Sequence, residues 1–402
     1  MQRLCIILYY ILCEMKILFL HPNFPGQFKH IAKQLGANHD VKFMCQTHFG
    51  RKLQGVNRIC LKGRLGHEYL EQNNQSLVER SKLLSTQFRE GFEQLSTQGW
   101  RPEIVISHSA WGCGLYVKEL WPEAKLLSYC EWWFDPQSEF FTYDQENIEL
   151  NLNPSKIRKY WDRNASISLE LAVSDAIISP TQWQKNQLPN KFKKHCYVIF
   201  DGVDNHVFKP NYNKKSPEPL VTYGTRGMEP MRCFPQFIRE LPTIIAKMPE
   251  VRIEIAGEDR CSYGGTKPKE GTWKIWADKF LSEQKINRNV KWIGYLSGEN
   301  YINWLQSSWA HVYLTHPFVT SWSFVEALHV GAPIVTSDLD STREFLDKDE
   351  NIIMVDHRNP GEIAQGVLSL LKRNPIPYKP KSNLCIHSTL EKWYYVLNKV
   401  SS

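Results

Sequence analysis

The chain lacks several features that would have settled its class at once. No uninterrupted apolar run reaches the roughly 18–20 residues a membrane-spanning helix needs; Leu4–Cys13 is ten residues long. No G-x-G-x-x-G follows an apolar run, and no G-x-x-x-x-G-K-[ST] occurs. That excludes the usual glycine-rich dinucleotide cradle and the P-loop. The ten cysteines include no C-x-x-C pair. Thiolate metal binding is therefore disfavoured, and they read as reduced, mostly buried small hydrophobes of a cytosolic protein. There is no internal repeat and no basic arm. Lys plus Arg outnumber Asp plus Glu by 49 to 42, divided 24 to 21 over residues 1–205 and 25 to 21 over 206–402. So even an excess weighs against nucleic-acid binding as the main activity. The one local cluster, Lys185, Lys191, Lys193, Lys194 and His195, suits acidic lipid headgroups; a solvated loop is the favoured reading.

What is present is ordinary globular material. A chain of 402 residues, 42% hydrophobic and 23% charged, has enough apolar surface for two or three domains. Fourteen Trp and 17 Tyr are many, and core packing is the favoured reading for most of them. Residues 1–14 read as an extension outside the fold. Met15 opens a better start, Met-Lys followed by the apolar run Ile17–Leu20, and a short membrane-surface anchor is the alternative for the extension.

Apolar runs then alternate with helical patterns. Strands are expected at Ile17–Leu20, Val41–Met44, Ile104–Ser107, Leu126–Cys130, Ala176–Ile178 and Tyr197–Phe200. Helical patterns cover Phe28–Leu35, 67–98, the stretch after His108 to about Leu120, and Ile157–Ala172. Lys209–Pro219 is polar, proline-rich and aperiodic, the best linker in the chain. Alternation then restarts through Leu220–Tyr223, Arg252–Ala256, Val290–Ile293, Ala310–Leu314, Ile334–Thr336 and Ile352–Val355. Strands alternating with helices predict α/β architecture: two doubly wound parallel-sheet domains, 15–208 and 220–375, joined by 209–219. The tail, 376–402, carries an amphipathic helix expected to pack back on the first domain. Ligands of such sheets gather at the strand carboxyl ends, and two such halves form a cleft. Gly26, His108, Glu131, Thr181 and Asp201 all follow strands, so they should line one edge.

The most informative stretch is Thr315–Asp338, THPFVTSWSFVEALHVGAPIVTSD, which reads as strand, loop, helix, turn, strand. A serine-rich loop opening a helix offers N–H groups and hydroxyls to an anion. Glu326 lies about 200° round the helix from Phe324, off the apolar stripe. Phosphate-binding N–H groups with a carboxylate one turn on suit a phosphorylated sugar. Arg226 and Arg232 flank a Gly/Pro loop after Leu220–Tyr223, and arginine suits bidentate phosphate recognition. A charged hydrogen bond contributes roughly 1.5–3 kcal/mol. A helix N-terminus contributes about 0.3–1 kcal/mol. The arginines should therefore dominate diphosphate affinity. Gly26, in His21-Pro-Asn-Phe-Pro-Gly-Gln27, either lets backbone approach a ligand or makes a plain turn. His108 is either a cleft histidine acting on a substrate hydroxyl or a satisfied structural one. Asp338-Leu-Asp340 is a D-x-D string before a helix; helix capping is favoured over metal binding. Trp111, Trp132 and Trp133 either stack on sugar rings or pack the core.

These residues resemble the retaining glycosyltransferases of the GT-B fold, family 4, over about Met15–Leu371. Three parts carry the resemblance. One is Ser179–Pro189 followed by Val198–Asp204 and Phe208. A second is Arg226 to Arg232, similar to a G-R-x-x-x-x-K diphosphate clamp with Arg232 in place of Lys and one extra residue. The third is Ser321-Trp-Ser…Glu326-Ala…Gly331-Ala-Pro-Ile-Val335, similar to the E-x7-E segment. The resemblance implies a nucleoside-diphosphate-sugar donor held mostly by the second domain, a sugar or lipid-linked acceptor, no metal and no cofactor. It implies catalytic roles for His108, Arg226 and Arg232. Donor binding would involve Gly26, Arg226, Arg232, Tyr295, Ser321, Trp322, Ser323 and Glu326, with Glu326 on the ribose hydroxyls. The implied setting is cytoplasmic polysaccharide biosynthesis, with peripheral contact at the inner membrane face. One position departs from the pattern. Phe318 stands eight residues before Glu326, where the first motif glutamate belongs. A GT-B sugar-nucleotide epimerase and a non-catalytic sugar- or nucleotide-binding module are the alternatives.

Overall fold

The computed structural model describes residues 14–46, 50–61, 76–347, 351–373 and 381–401. The extension expected at residues 1–14 and the helical pattern at 67–75 lie outside the described residues, apart from Glu14. Contacts divide the chain into two compact units. The first is Met1–Pro136 with Pro154–Gly202 and Ile386–Ser402; the second is Gln137–Asn153 with Val203–Cys385. Residues 137–153, which precede Lys209–Pro219 in sequence, thus group with the second unit.

The first unit is built on a parallel sheet of seven strands in the order β3-β2-β1-β4-β5-β6-β7. The strands are β1 Lys16–Leu20, β2 Asp40–Cys45, β3 Val56–Cys60, β4 Ile104–His108, β5 Lys125–Tyr129, β6 Ala176–Ser179 and β7 Cys196–Val198. β1 shows why the runs are continuously apolar. Ile17 and Phe19 join one cluster with Phe28, Ile31, Trp393 and Val396. Leu18 and Leu20 join another with Phe88, Phe92 and Trp121. Both faces of the sheet are covered, so neither side chain parity can be polar. Each such buried side chain contributes roughly 1.5–3 kcal/mol. The terminal helix Ile386–Ser401 supplies Trp393, Val396 and Leu397 to the first of these clusters.

The second unit has a parallel sheet of six strands in the order β10-β9-β8-β11-β12-β13. These are β8 Leu220–Gly227, β9 Arg252–Glu258, β10 Val290–Gly294, β11 Ala310–Tyr313, β12 Ile334–Ser337 and β13 Ile352–Val355. Its core joins Val221, Tyr223, Ile253, Ile255 and Val312 to Phe237, Leu241 and Ile244 of the helix Phe234–Lys247.

The architecture is the expected α/β one, and several local expectations change. β3 is a further strand. The stretch after His108 is a short turn, Ser109–Trp111, then only Val117–Leu120 in helix. The single helix expected over Ile157–Ala172 is two, Pro154–Asp162 and Asn164–Val173. The long pattern settles as Leu77–Thr97, opened by a capping box in which Ser76 N–H donates to Glu79 Oε2 at 2.6 Å.

Candidate functional site

In the first unit the polar residues that follow strands meet at the carboxyl edge of the sheet. His108 ends β4 and is buried, and neither ring nitrogen has a hydrogen-bond partner among the described residues. Its Nε2 lies 3.7 Å from Glu131 Oε2. The His21 ring packs edge-on against it at 4.8 Å, and Tyr129 lies at 5.2 Å. Gln27 links the group: its Oε1 faces His21 Nε2 at 3.0 Å, and its Nε2 donates to Glu131 Oε1 at 3.0 Å. Burial pushes the Glu131 carboxyl up, but His108 and the Gln27 amide outweigh burial and hold it below its ordinary value. Tyr129 donates to Asp201 Oδ1 at 2.8 Å, and Gln184 donates to the Glu131 carbonyl at 2.5 Å. Thr181 caps the helix Gln182–Gln187.

Gly26 has a local reason to be glycine. Its φ is +53°, and a Cβ there would lie 2.9 Å from the His21 ring. The glycine lets His21 fold back beside Gln27. Trp132 and Trp133 are buried and pack with Trp183, and with Trp161 and Phe192, respectively. For those two rings, core packing is what the structure contains.

In the second unit the candidates again stand at strand carboxyl ends. Arg232 closes the turn Pro230–Arg232 and is 5% exposed. It donates to Thr315 Oγ1 at 2.7 Å, Tyr313 Oη at 3.3 Å and the Val319 carbonyl at 3.2 Å. Its guanidinium sits over the Tyr263 ring at 4.7 Å. Burial opposes its charge, while Tyr313, Tyr263 and Glu229 more than restore it. Arg232 therefore ties the loop after β11 to the turn after β8. Arg226, in contrast, is exposed and has no hydrogen bond or ion pair among the described residues. The two arginines expected to act alike occupy different environments.

The serine loop is also more self-contained than its sequence suggests. Tyr313 Oη accepts from Ser321 N–H at 2.8 Å, and Ser321 Oγ accepts from Ser323 N–H at 3.3 Å. Ser321 caps the helix Trp322–His329. Two of the N–H groups expected to be available to an anion are thus engaged within the loop. Glu326 is half-buried between buried neighbours Val325 and Ala327. Its carboxylate, after burial, raises the Tyr301 hydroxyl above its ordinary value. Trp322 is 45% exposed, and Tyr295 is 75% exposed after β10. No hydrogen bond or ring contact joins Tyr295 to the other candidates among the described residues.

Phe318 packs against Phe140 at 5.4 Å and Tyr263 at 5.7 Å. An aromatic wall therefore stands where the motif pattern has a carboxylate. Sequence reasoning missed Tyr263 and Tyr313, which hold Arg232, and Glu229. Glu229 Oε2 accepts the N–H groups of Ser262, Tyr263 and Gly264 at 2.7, 2.7 and 3.2 Å and pins that loop. The pairs are far apart in sequence, so no local pattern marks them. The D-x-D string corrects an expectation: neither aspartate caps. Arg343 takes Asp338 at 2.7 Å and Asp340 at 2.9 Å. Among the described residues no cluster of His, Cys, Asp and Glu forms a metal site.

Two parallel α/β units with their polar groups at the strand carboxyl ends are consistent with the halves of a GT-B glycosyltransferase. The chain belongs to that class and to its family 4: residues 37–208 match "Glycosyl transferase family 4 group" and residues 220–373 match "Glycosyl transferases group 1". Solved structures agree on the fold. Sucrose-phosphate synthase from Thermosynechococcus elongatus is 12% identical, with a TM-score of 0.64 over 96% of this chain and 99% of that one. HepE from Anabaena, in complex with UDP and glucose, is 13% identical, with a TM-score of 0.61 over 96% and 100%. A variant of S. aureus TarM, in complex with UDP, fondaparinux and alpha-GlcNAc-glycerol, is 14% identical, with a TM-score of 0.59 over 96% and 100%. A comparison with curated protein sequences returns no match. No helix among the described residues is long and apolar enough to cross a membrane.

Proposed function

We propose that the protein transfers a sugar from a nucleoside-diphosphate sugar to a polysaccharide, lipid-linked or other hydroxyl acceptor, with retention at the anomeric carbon. The observation that carries the donor assignment is the second unit's pairing of a buried, loop-fixing Arg232 with an exposed Arg226 on the same strand exit. In this reading Arg226 meets the diphosphate. Arg232 holds the Thr315–Ser321 loop in shape, Ser321, Trp322 and Ser323 face the phosphates, and Glu326 takes the ribose hydroxyls. Tyr295 and Gly26 complete the donor set, and His108 acts on the transferred sugar or the acceptor. Catalysis is then positioning plus stabilisation of leaving-group charge by fixed cations, without a metal or cofactor.

UDP in the HepE and TarM complexes supports testing uridine nucleotides first. We place the protein in the cytoplasm, with peripheral contact at the inner membrane face. The lysines at 191, 193 and 194 support that contact, and Trp161, Leu169 and Val173 are exposed apolar side chains of the same unit. The donor assignment is tested by thermal shift across UDP, GDP, ADP and CDP. Stabilisation by one of them is expected; no stabilisation by any would remove the donor site. Flotation with anionic vesicles tests the membrane contact, and absence of binding at low salt would remove it.

A further inference from the structure

The segment His21–Gln27 and Glu131 form one chain of hydrogen bonds whose last carboxylate oxygen stands 3.7 Å from His108. Asn23 N–H donates to His21 Nδ1 at 2.8 Å. That bond makes Nδ1 the acceptor, so in the neutral ring the proton sits on Nε2. Nε2 then donates to Gln27 Oε1, which fixes the amide with its NH2 toward Glu131 Oε1. One carboxylate oxygen is thereby held, and the other faces His108 Nε2 at 3.7 Å. Gly26 is what lets His21 reach this position, because the ring occupies the space of a side chain.

His108 itself is 1% exposed, and neither of its nitrogens has a hydrogen-bond partner among the described residues. A buried polar group left unpaired is costly, and such groups concentrate where a ligand completes the bonding. We propose that Glu131, aimed by His21 and Gln27, is a positioning residue that holds a free carboxylate oxygen beside the His108 ring, and that the pair takes one ligand hydroxyl. His108 donates to the hydroxyl oxygen, and Glu131 Oε2 accepts its proton in a hydrogen bond. The ligand class is a sugar or other polyol. The proposal rests on the glycosyltransferase reading for the identity of that ligand, but not for the coupling between Glu131 and His108.

The titratable groups around His108 are His21, Tyr129, Glu131 and the buried Glu170 of the helix Asn164–Val173. Arg163 acts on Glu131, and Asp201 holds Tyr129. Of these, Glu131 is the carboxylate with an oxygen 3.7 Å from the ring, so it is the one placed to share a ligand hydroxyl with it.

The test follows the His108 imidazole by NMR at one fixed pH in the full chain, in wild type, Glu131→Gln and Gln27→Ala, as glucose and UDP-glucose are added, with folding checked by circular dichroism. In wild type the ring signals are expected to move with added sugar, and Glu131→Gln is expected to raise the sugar concentration needed by about tenfold, Gln27→Ala by less. No movement in wild type, or an unchanged response in Glu131→Gln, overturns the proposal. If Glu131→Gln does not fold, Gln27→Ala decides: an unchanged response overturns it. UDP binding is measured in parallel. Nucleotide binding without a sugar response at His108 removes this inference alone, whereas a sugar response at His108 without nucleotide binding removes the donor assignment alone.

Discussion

Arg226 and Arg232 look interchangeable in sequence and should separate cleanly in experiment. Arg232→Ala removes three hydrogen bonds and a guanidinium stacked at 4.7 Å on Tyr263. Thr315 Oγ1 also donates to the His316 carbonyl, and Tyr313 Oη also accepts from Ser321. The loss is therefore smaller than three isolated charged bonds, about 2–4 kcal/mol with the cation–π contact included. In a unit of this size that lowers Tm by roughly 5–15 °C. Arg226→Ala breaks no hydrogen bond or ion pair among the described residues, so Tm of the free protein should stay within about 2 °C, since surface changes are usually within ±0.5 kcal/mol. Its effect falls on the nucleotide. An exposed guanidinium works at the low end of the charged-bond range, about 1.5 kcal/mol, or about tenfold in Kd. Differential scanning fluorimetry and calorimetric titration with UDP read both quantities. If Arg226→Ala destabilises the free protein as much as Arg232→Ala and leaves UDP affinity unchanged, the division of labour is wrong.

Acid should weaken the second unit in particular. Burial lowers His316 to about 4 and His357 and His311 to about 3. The unfolded chain then binds more protons than the folded one below about pH 6.5. Stability is full above that pH and is lost as pH falls toward 4, by about 2 kcal/mol per histidine at pH 5. A flat Tm between pH 7 and 5 would contradict this. Glu229→Ala leaves three backbone N–H groups of residues 262–264 without their acceptor. Amide exchange there should rise by roughly tenfold or more; unchanged exchange would show that the loop holds without it. Phe318→Glu replaces the wall against Phe140 and Tyr263 with a carboxylate. It should change which donor sugar is turned over while moving UDP affinity little, at a stability cost of about 1–2 kcal/mol. An identical sugar profile would take Phe318 out of the sugar pocket.

The fold was legible where burial is continuous. Ile17–Leu20 is apolar on both parities because both faces of the sheet are covered. Val56–Cys60 was not, because this edge strand is only half-buried and carries Asn57 and Arg58. The grouping of residues 137–153 with the second unit depends on contacts such as Arg239 with Glu149, 90 residues apart, which leave no local pattern. The candidate site was legible to the level of residue type. Spacing pointed to both arginines but carried no information on which one is buried. It pointed to His108 without showing that Glu131, 23 positions away, faces it. The serine loop read as an anion cradle because helix N-termini usually leave N–H groups over; the Tyr313 hydroxyl that takes one of them lies eight positions earlier.

The most direct test of the central claim is turnover of a panel of UDP-, GDP-, ADP- and CDP-sugars by the purified chain with a simple glycoside or water as acceptor, followed by proton NMR. The account predicts that one donor releases its nucleoside diphosphate and that the sugar product first appears with the donor's own anomeric configuration. Release with the opposite configuration would contradict retention, and isomerised donor without release would show an epimerase instead. Absence of both turnover and nucleotide binding across the panel would contradict the account as a whole.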